Sequence, residues 1–358
     1  SAGNNYSHRF FSGNQINKNN IKYLSKLWTF NSGSTSKSQT VQSPPIFIGD
    51  QLLLVTLAGE LVSLSPTNGK LLWKKKLDKP LGARGFTYHE SKDADIRGIY
   101  IASGKKIIQL NKEGIVKNYF LTETSLLQPF LDEKNLYVAT LKHGVQAFDL
   151  KTKNKIWSTS LFKDNVNARV WSGFSFDKET NSLFIVTSNP GGIIGENRSG
   201  NDFSASLIAL DTNTGKIKWK YKHIINDLWD FDLISNPIII KSLNLAHRNK
   251  PVDCVIALSK TGDVIMVNID NGLPVFEDSY INIEVPISDM KNVYTPKTQK
   301  LYLKPEKFSN IEIDLERDFA HLEEDNLIYI KNKLRHAKSG FFIPTSVNHD
   351  VILYGLHG

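Results

Sequence analysis

Short apolar runs alternate with polar turns along most of this chain. The runs are rich in β-branched and aromatic residues and are bounded by Gly, Asn or Asp, which is typical of β-strands joined by tight turns. A turn followed by a strand that ends in tryptophan occurs at 65–73, 149–157 and 211–219. A weaker copy at 270–276 has Phe276 in the tryptophan position. Recurrence of one such phrase predicts a repeat architecture.

The spacing of the copies gives the repeat length. Trp73 and Trp157 are 84 residues apart, or two steps of 42, and the missing middle copy keeps its turn glycine, Gly114, but not its tryptophan. Repeats of about 40–45 residues made of short strands indicate a β-propeller with about four strands per blade. We therefore predict an all-β, tryptophan-docked propeller, in which Trp73, Trp157 and Trp219 are packing anchors between neighbouring blades.

The apolar runs also predict where the strands lie. In the first blade they predict strands at 46–48, 52–55, 61–64 and 70–73. The runs that we expect to occupy one common strand position in the later blades are 98–102, 136–139, 183–186 and 255–258.

The pattern divides the chain into four segments, which we expect to form a single propeller domain. An arm carries an early strand at 26–30 that closes the ring, and five blades follow it. The pattern then breaks at an insertion, where apolar residues at helical spacing predict an amphipathic helix over 314–337. The last segment starts another blade without finishing it, which indicates a chain truncated at its C-terminus. The segments are 1–45, 46–277, 278–340 and 341–358.

Composition excludes several classes of function. The net charge of +8 comes from scattered lysines, without the basic cluster that indicates nucleic acid binding. No apolar run reaches the 18 residues that a membrane span needs. The single cysteine, Cys254, cannot form an intrachain disulfide and lies in an apolar run, which indicates a core position.

Five phrases occur in a fixed order along the chain. They are Arg84-Gly85-Phe86-Thr87-Tyr88-His89, Val170-Trp171-Ser172-Gly173, Thr187-Ser188-Asn189-Pro190, Asn226-Asp227-Leu228-Trp229-Asp230-Phe231-Asp232 and Ser259-Lys260-Thr261-Gly262. Taken in order, they resemble the quinoprotein dehydrogenases that use pyrroloquinoline quinone (PQQ), most of all the sugar and polyol branch of that family, and the resemblance covers nearly the whole chain. The resemblance implies an eight-bladed propeller of which about five blades and the start of a sixth are present. It also implies a periplasmic enzyme that oxidises a sugar or polyol and passes electrons to ubiquinone.

The resemblance implies roles for particular residues. Asp230 resembles the general base that takes the hydroxyl proton while hydride goes to the quinone, and a turn cap is the alternative. Trp171 resembles the floor under the flat cofactor, with a further docking tryptophan as the alternative. Lys260 resembles the cation beside the quinone oxygen, unless it is a surface lysine. Asp227 and Asp232 are expected to be solvated or structural.

Two more residues resemble the family's contacts to cofactor and substrate. Arg84 suits one of the three carboxylates of PQQ, which an arginine grips with two parallel hydrogen bonds. His89 resembles a histidine near the substrate, with an ordinary buried or surface histidine as the alternative.

The implied metal site is incomplete. Calcium or magnesium takes oxygen ligands, and the resemblance implies Asn189 and Asp230 as two of them. A third, acidic ligand is expected from the third blade, but Lys142 stands at about that position. Because an ammonium beside a cation is repulsive, this blade supports a second hypothesis: a non-catalytic propeller scaffold for protein–protein interaction with a degenerate cofactor site.

Overall fold

The computed structural model describes most of the chain up to residue 301. The insertion helix predicted at 314–337 and the unit predicted at 341–358 lie outside the described residues. The described residues are 4–8, 13–33, 43–56, 58–77, 81–125, 127–142, 144–163, 166–189, 202–225, 227, 232–245, 249–260, 263–276, 281–284 and 298–301.

The chain forms two compact units. The first unit consists of Ser1–Leu161, Gly173–Leu183 and Asp211–Lys216. The second consists of Phe162–Ser172, Phe184–Leu210 and Ile217–Gly358.

The described residues form five sheets of three or four strands, in each of which consecutive strands are neighbours. The first contains β1 (Ile46–Ile48), β2 (Gln51–Val55), β3 (Glu60–Leu64) and β4 (Leu71–Lys76). The second contains β5 (Leu81–His89), β6 (Gly98–Ser103), β7 (Lys106–Leu110) and β8 (Val116–Leu121). The third contains β9 (Phe130–Leu131), β10 (Asn135–Thr140), β11 (Gly144–Asp149) and β12 (Lys155–Thr159).

The fourth sheet contains β15 (Ser175–Asp177), β16 (Ser182–Val186), β17 (Ser206–Asp211) and β18 (Ile217–Lys222). The fifth contains β19 (Ile238–Leu243), β20 (Val252–Leu258) and β21 (Val264–Asn268). Two hairpins are formed by β13 (Phe162–Lys163) with β14 (Val166–Asn167), and by β22 (Ile281–Glu284) with β23 (Thr298–Leu301). A single 3₁₀ turn spans Ile21–Tyr23.

These sheets confirm the predicted all-β class and the first-blade strands. The runs expected to share one strand position are β6, β10, β16 and β20, and each is the second strand of its sheet. Nearly all residues of β6, β10 and β16 are buried, because both faces of these strands are covered. In β6 the residues alternate between two cores: Ile99 and Ile101 pack with the first sheet, whereas Tyr100 and Ala102 pack with the third. Cys254 of β20 is buried, as predicted.

The repeated tryptophans pack between neighbouring sheets, as predicted, and each docks on the turn glycine of the next sheet. A Cβ at Gly114 would lie 2.7 Å from Trp73 Cε3, so the indole packs directly on the glycine. Gly215 meets Trp157 and Gly272 meets Trp219 in the same way. Each indole N–H donates to a carbonyl of the same turn, for example from Trp157 to Thr212 at 2.8 Å. Only glycine fits here, because the turn also requires a positive φ, +76° at Gly114.

The junction between the second and third sheets departs from this arrangement in both the tryptophan and the glycine position. Asn118 of β8 pairs with Gln109 just before a bulge, as Trp73 pairs with Ser63, and so occupies the tryptophan position of its sheet. In the next turn the position of the glycine is held by Lys153, which keeps the positive φ, at 67°. A side chain at the glycine position would collide with an indole at the tryptophan position. The replacement of the glycine by Lys153 is therefore compatible with the replacement of the tryptophan by Asn118.

Trp28, within the strand predicted at 26–30, docks in the same way. It packs on Gly69 and donates its N–H to the Pro66 carbonyl at 2.8 Å. Among the described residues, 26–30 pairs with no other strand. The last blade, with which this strand is expected to close the ring, is not among the described residues, so the ring-closing strand stays a prediction.

Candidate cofactor site

The candidate site lies in the second unit, where two segments are built alike. In the fourth sheet a bridge joins Val170 to Thr187, and in the fifth a bridge joins Leu233 to Ser259. Each bridge connects the segment before the first strand to the residue after the second strand. The antiparallel order places both of these at one edge of the sheet. This edge carries Trp171 and Asn189 in the fourth sheet and Asp232 and Lys260 in the fifth.

Trp171 is fixed by hydrogen bonds from its segment to the neighbouring one. Its indole N–H donates to the Leu233 carbonyl at 2.7 Å, and the adjacent Ser172 hydroxyl donates to the Ser235 carbonyl at 3.0 Å. The indole is partly exposed. Among the described glycines, none lies against this indole as Gly215 lies against Trp157. The role of Trp171 under the cofactor stays a prediction.

Lys260 is a buried cation. Its side chain is 6% exposed, and its ammonium lies 5.2 Å from the centre of the Trp171 ring. Attraction between the ammonium and the face of the indole holds charge and ring together. The alternative of an ordinary surface lysine is therefore wrong.

Asp232 balances the charge of Lys260. Its Oδ1 atom lies 2.8 Å from the Lys260 ammonium, and its side chain is 3% exposed. Its Oδ2 atom accepts a hydrogen bond from the backbone N–H of Asn189 at 3.1 Å. Of the two expectations for Asp232, solvated or structural, its burial excludes the first. A charge buried this deeply needs a partner, which Lys260 supplies. Asp227 is buried as well.

A second buried pair supports the turn that carries Lys260. His223 Nε2 lies 3.9 Å from Asp263 Oδ2, and both side chains are almost completely buried. The Asp263 backbone N–H donates to the Ser259 hydroxyl at 3.2 Å. Burial lowers the pKa of His223 from 6.5 to about 3, so this histidine is neutral at pH 7.

The remaining predicted residues are placed as follows. Asp230 lies outside the described residues. Asn189 is partly buried, with its backbone held by Asp232. In the first unit, Arg84 lies in the N-terminal half of β5. His89 ends the same strand, opposite Gly98.

His89 and Arg84 therefore lie toward different ends of β5. His89 is half-buried and meets the edge of Tyr100, with ring centroids 6.4 Å apart. Burial lowers its pKa, against the opposing effect of the Asp132 and Glu90 carboxylates. These are the contacts of a packing residue, and the role of His89 near a substrate stays a prediction.

The third sheet gives no acidic metal ligand at the expected position. Lys142 is exposed, in the turn that connects Thr140 to Gly144. In the part of the chain that the structure covers, no group of three His, Cys, Asp or Glu residues could hold a metal ion. The same part contains no helix long and apolar enough to cross a membrane.

This fold and this edge define a class: a β-propeller of the quinoprotein type, with an indole and a buried ammonium side by side. The family described as "PQQ: Glucose/ethanol/alcohol dehydrogenase, beta-propeller domain" matches residues 1–116 and 162–358. Because the match covers well over half of the chain, the chain belongs to this family. The unmatched residues, 117–161, include the whole third sheet, where Lys142 and Lys153 depart from the pattern, and Asn118 of the second sheet.

Individual relatives agree with the family match. The chain is 23% identical to quinate/shikimate dehydrogenase (quinone) of Acinetobacter baylyi, over 81% of this chain and 45% of the relative. It is also 23% identical to quinoprotein glucose dehydrogenase of Escherichia coli, over 74% of this chain and 41% of the relative. The chain thus spans about half the length of the curated relatives that it matches.

Solved structures show the same fold. Quinohemoprotein alcohol dehydrogenase from Comamonas testosteroni superimposes with a TM-score of 0.65 at 19% identity, over 84% of this chain and 50% of that chain. A europium-containing methanol dehydrogenase gives a TM-score of 0.62 at 18% identity, over 76% of this chain and 56% of that chain. The predicted propeller class is confirmed.

Proposed function

We propose that this chain forms part of a PQQ-dependent dehydrogenase that oxidises a hydroxyl group of a sugar or polyol. The observation that carries the proposal is the Lys260 ammonium, buried and held 5.2 Å from the centre of the Trp171 ring. A flat, anionic cofactor needs a π-face to lie on and a cation at its edge, and these two side chains supply both. The residues therefore fit the quinone.

When bound, PQQ supplies a carbonyl carbon that accepts hydride from the alcohol. The chain's own residues do the rest. Trp171 sets the plane of the cofactor, because its ring is fixed through the Leu233 carbonyl. Lys260 offers positive charge where negative charge develops. Asp230, placed by family resemblance, takes the proton of the substrate hydroxyl.

The metal is a separate question. Two metal ligands are predicted. Asn189, which the structure describes, could offer an amide oxygen to calcium or magnesium, and Asp230 is the second predicted ligand. The third position carries Lys142, exposed and cationic. The ligand set does not fit a divalent cation at that position, and we assign no step to a metal.

The location and the electron acceptor follow from the same resemblance. We propose a periplasmic protein that passes electrons to ubiquinone. The relatives named as glucose dehydrogenase and as quinate/shikimate dehydrogenase (quinone) support a polyhydroxylated substrate and a quinone acceptor.

A variant of Asp230 tests the chemistry. In the full-length protein, Asp230→Asn should reduce dye-linked oxidation of sugars and polyols by at least about 100-fold, since general base catalysis contributes this much. PQQ binding and the unfolding midpoint should remain within the range of the wild type. Undiminished turnover would exclude Asp230 as the base.

The divergent third sheet favours a second candidate, the protein-binding scaffold. The two functions differ in a simple observable, because a scaffold has no need to bind PQQ. A buried ammonium beside an indole favours the enzyme, since burying a charge costs free energy that a binding surface elsewhere does not recover.

A further inference from the structure

We propose that Asp232 is a positioning residue that holds the Lys260 ammonium at the face of Trp171, where it meets the cofactor. The inference deepens the proposed function and rests on it. It concerns a residue that sequence reasoning had set aside as solvated or structural.

The geometry around Asp232 carries the inference. Its carboxylate lies between two segments that belong to different sheets, with Oδ1 at 2.8 Å from the Lys260 ammonium and Oδ2 at 3.1 Å from the Asn189 N–H. The backbones are joined as well, because the Lys260 N–H donates to the Asp232 carbonyl at 3.1 Å. Lys260 is thus attached to Asp232 through both its main chain and its side chain.

These contacts fix the position of the ammonium. A lysine side chain has four rotatable bonds and loses much of its freedom when its end is held. The attraction to the Trp171 face alone is weak, whereas a buried carboxylate oxygen at 2.8 Å gives a stronger electrostatic attraction. Without Asp232, the ammonium would be a buried charge with its main counter-charge removed, and it would move toward water.

The same contacts argue against a role for Asp232 as the general base. Each carboxylate oxygen already faces a donor, one on Lys260 and one on Asn189. A base needs an oxygen that can approach the substrate proton. Asp232 is therefore placed to act through Lys260, and not on the substrate.

Amine labelling of the protein without cofactor tests the positioning directly. The full-length protein is treated with an amine-selective acylating reagent, and the rate of modification of Lys260 is followed by peptide mass spectrometry. In Asp232→Asn, which keeps the size of the side chain, the rate at Lys260 should rise about tenfold because the buried pair is broken. Lys222, whose ammonium donates to the Ser204 hydroxyl at 3.0 Å, serves as the internal reference and should keep its rate.

A matched variant separates this effect from a general destabilisation of the fold. Asp177 is also a buried carboxylate, but it caps the turn at Thr180 in the first unit. Asp177→Asn should leave the Lys260 rate unchanged. An unchanged Lys260 rate in Asp232→Asn, or an equal rise at Lys222, would overturn the positioning role.

A double-mutant cycle on PQQ affinity tests the link to the cofactor. Asp232→Asn should weaken PQQ binding about tenfold in the wild-type background, but less than about twofold in a Lys260→Met background, because a residue that acts through another shows such coupling. Equal losses in both backgrounds would overturn the proposal. If the wild type itself fails to bind PQQ, the proposed function fails, and the labelling result still decides whether Asp232 positions Lys260.

Discussion

At the scale of single residues, the central feature is a pair of opposite charges buried beside an indole. The sequence predicted Lys260 and Trp171 through their positions in family phrases. It did not predict the burial of Asp232, because spacing along the chain does not tell whether an aspartate in this segment turns inward. The buried His223 and Asp263 have no sequence signal at all, since they meet only through the fold.

The neutral state of His223 predicts a pH dependence of stability. The unfolded chain takes up a proton at His223 near pH 6.5, whereas the folded chain does so only near pH 3. The free energy of unfolding should therefore fall as the pH decreases from 6.5 toward 3, with no contribution from His223 above that range. Urea unfolding of the wild type and of His223→Gln, measured at several pH values, should show a flatter dependence in the variant.

If His223→Gln shows the same pH dependence as the wild type, the burial of a neutral His223 does not contribute to acid sensitivity.

At the scale of strands and sheets, the docking of tryptophan on glycine repeats along the chain. The sequence predicted this packing because phrase and period are both visible. The aligned phrases already place Lys153 at the glycine position. Its match with Asn118 was not predictable, since only the strand register shows that Asn118 takes the tryptophan position. The strand expected at 26–30 stays a prediction, although Trp28 docks on Gly69 as the repeated tryptophans dock on their turn glycines.

A pair of glycine variants isolates the contribution of docking. Gly114 and Gly59 have similar backbones, with φ of +76° and +73°, but only Gly114 has an indole within contact. Alanine at either site bears the left-handed backbone cost of about 1 kcal/mol. Gly114→Ala should lose a further ~1–3 kcal/mol in the free energy of unfolding, because its Cβ would overlap Trp73. Equal losses at the two sites would contradict the docking role.

The departing junction can be tested for compensation. Asn118→Trp alone should destabilise the chain, because the Lys153 side chain would meet the new indole. Lys153→Gly removes that obstacle and relieves the positive φ. Unfolding of both single variants and the double variant should give a coupling free energy of about 1 kcal/mol or more in favour of the double variant. Additive effects would show that the two positions do not face each other.

At the scale of the whole molecule, the fold and family were predictable because a propeller repeats its signal. The third sheet is the exception: the family match omits residues 117–161, and the same sheet lacks the acid expected near Lys142. The catalytic Asp230 and the insertion helix remain predictions outside the described residues. The placement of Lys260 and Trp171 at one edge is the result that gives the family resemblance a physical basis.

The most direct measurement is the titration of full-length protein with PQQ, followed by tryptophan fluorescence. We predict saturable binding with quenching, and an affinity at least about tenfold lower in Trp171→Leu, since stacking on an aromatic ring contributes this much. Absence of saturable binding in the wild type, or equal affinity in Trp171→Leu, would contradict a cofactor site at this edge.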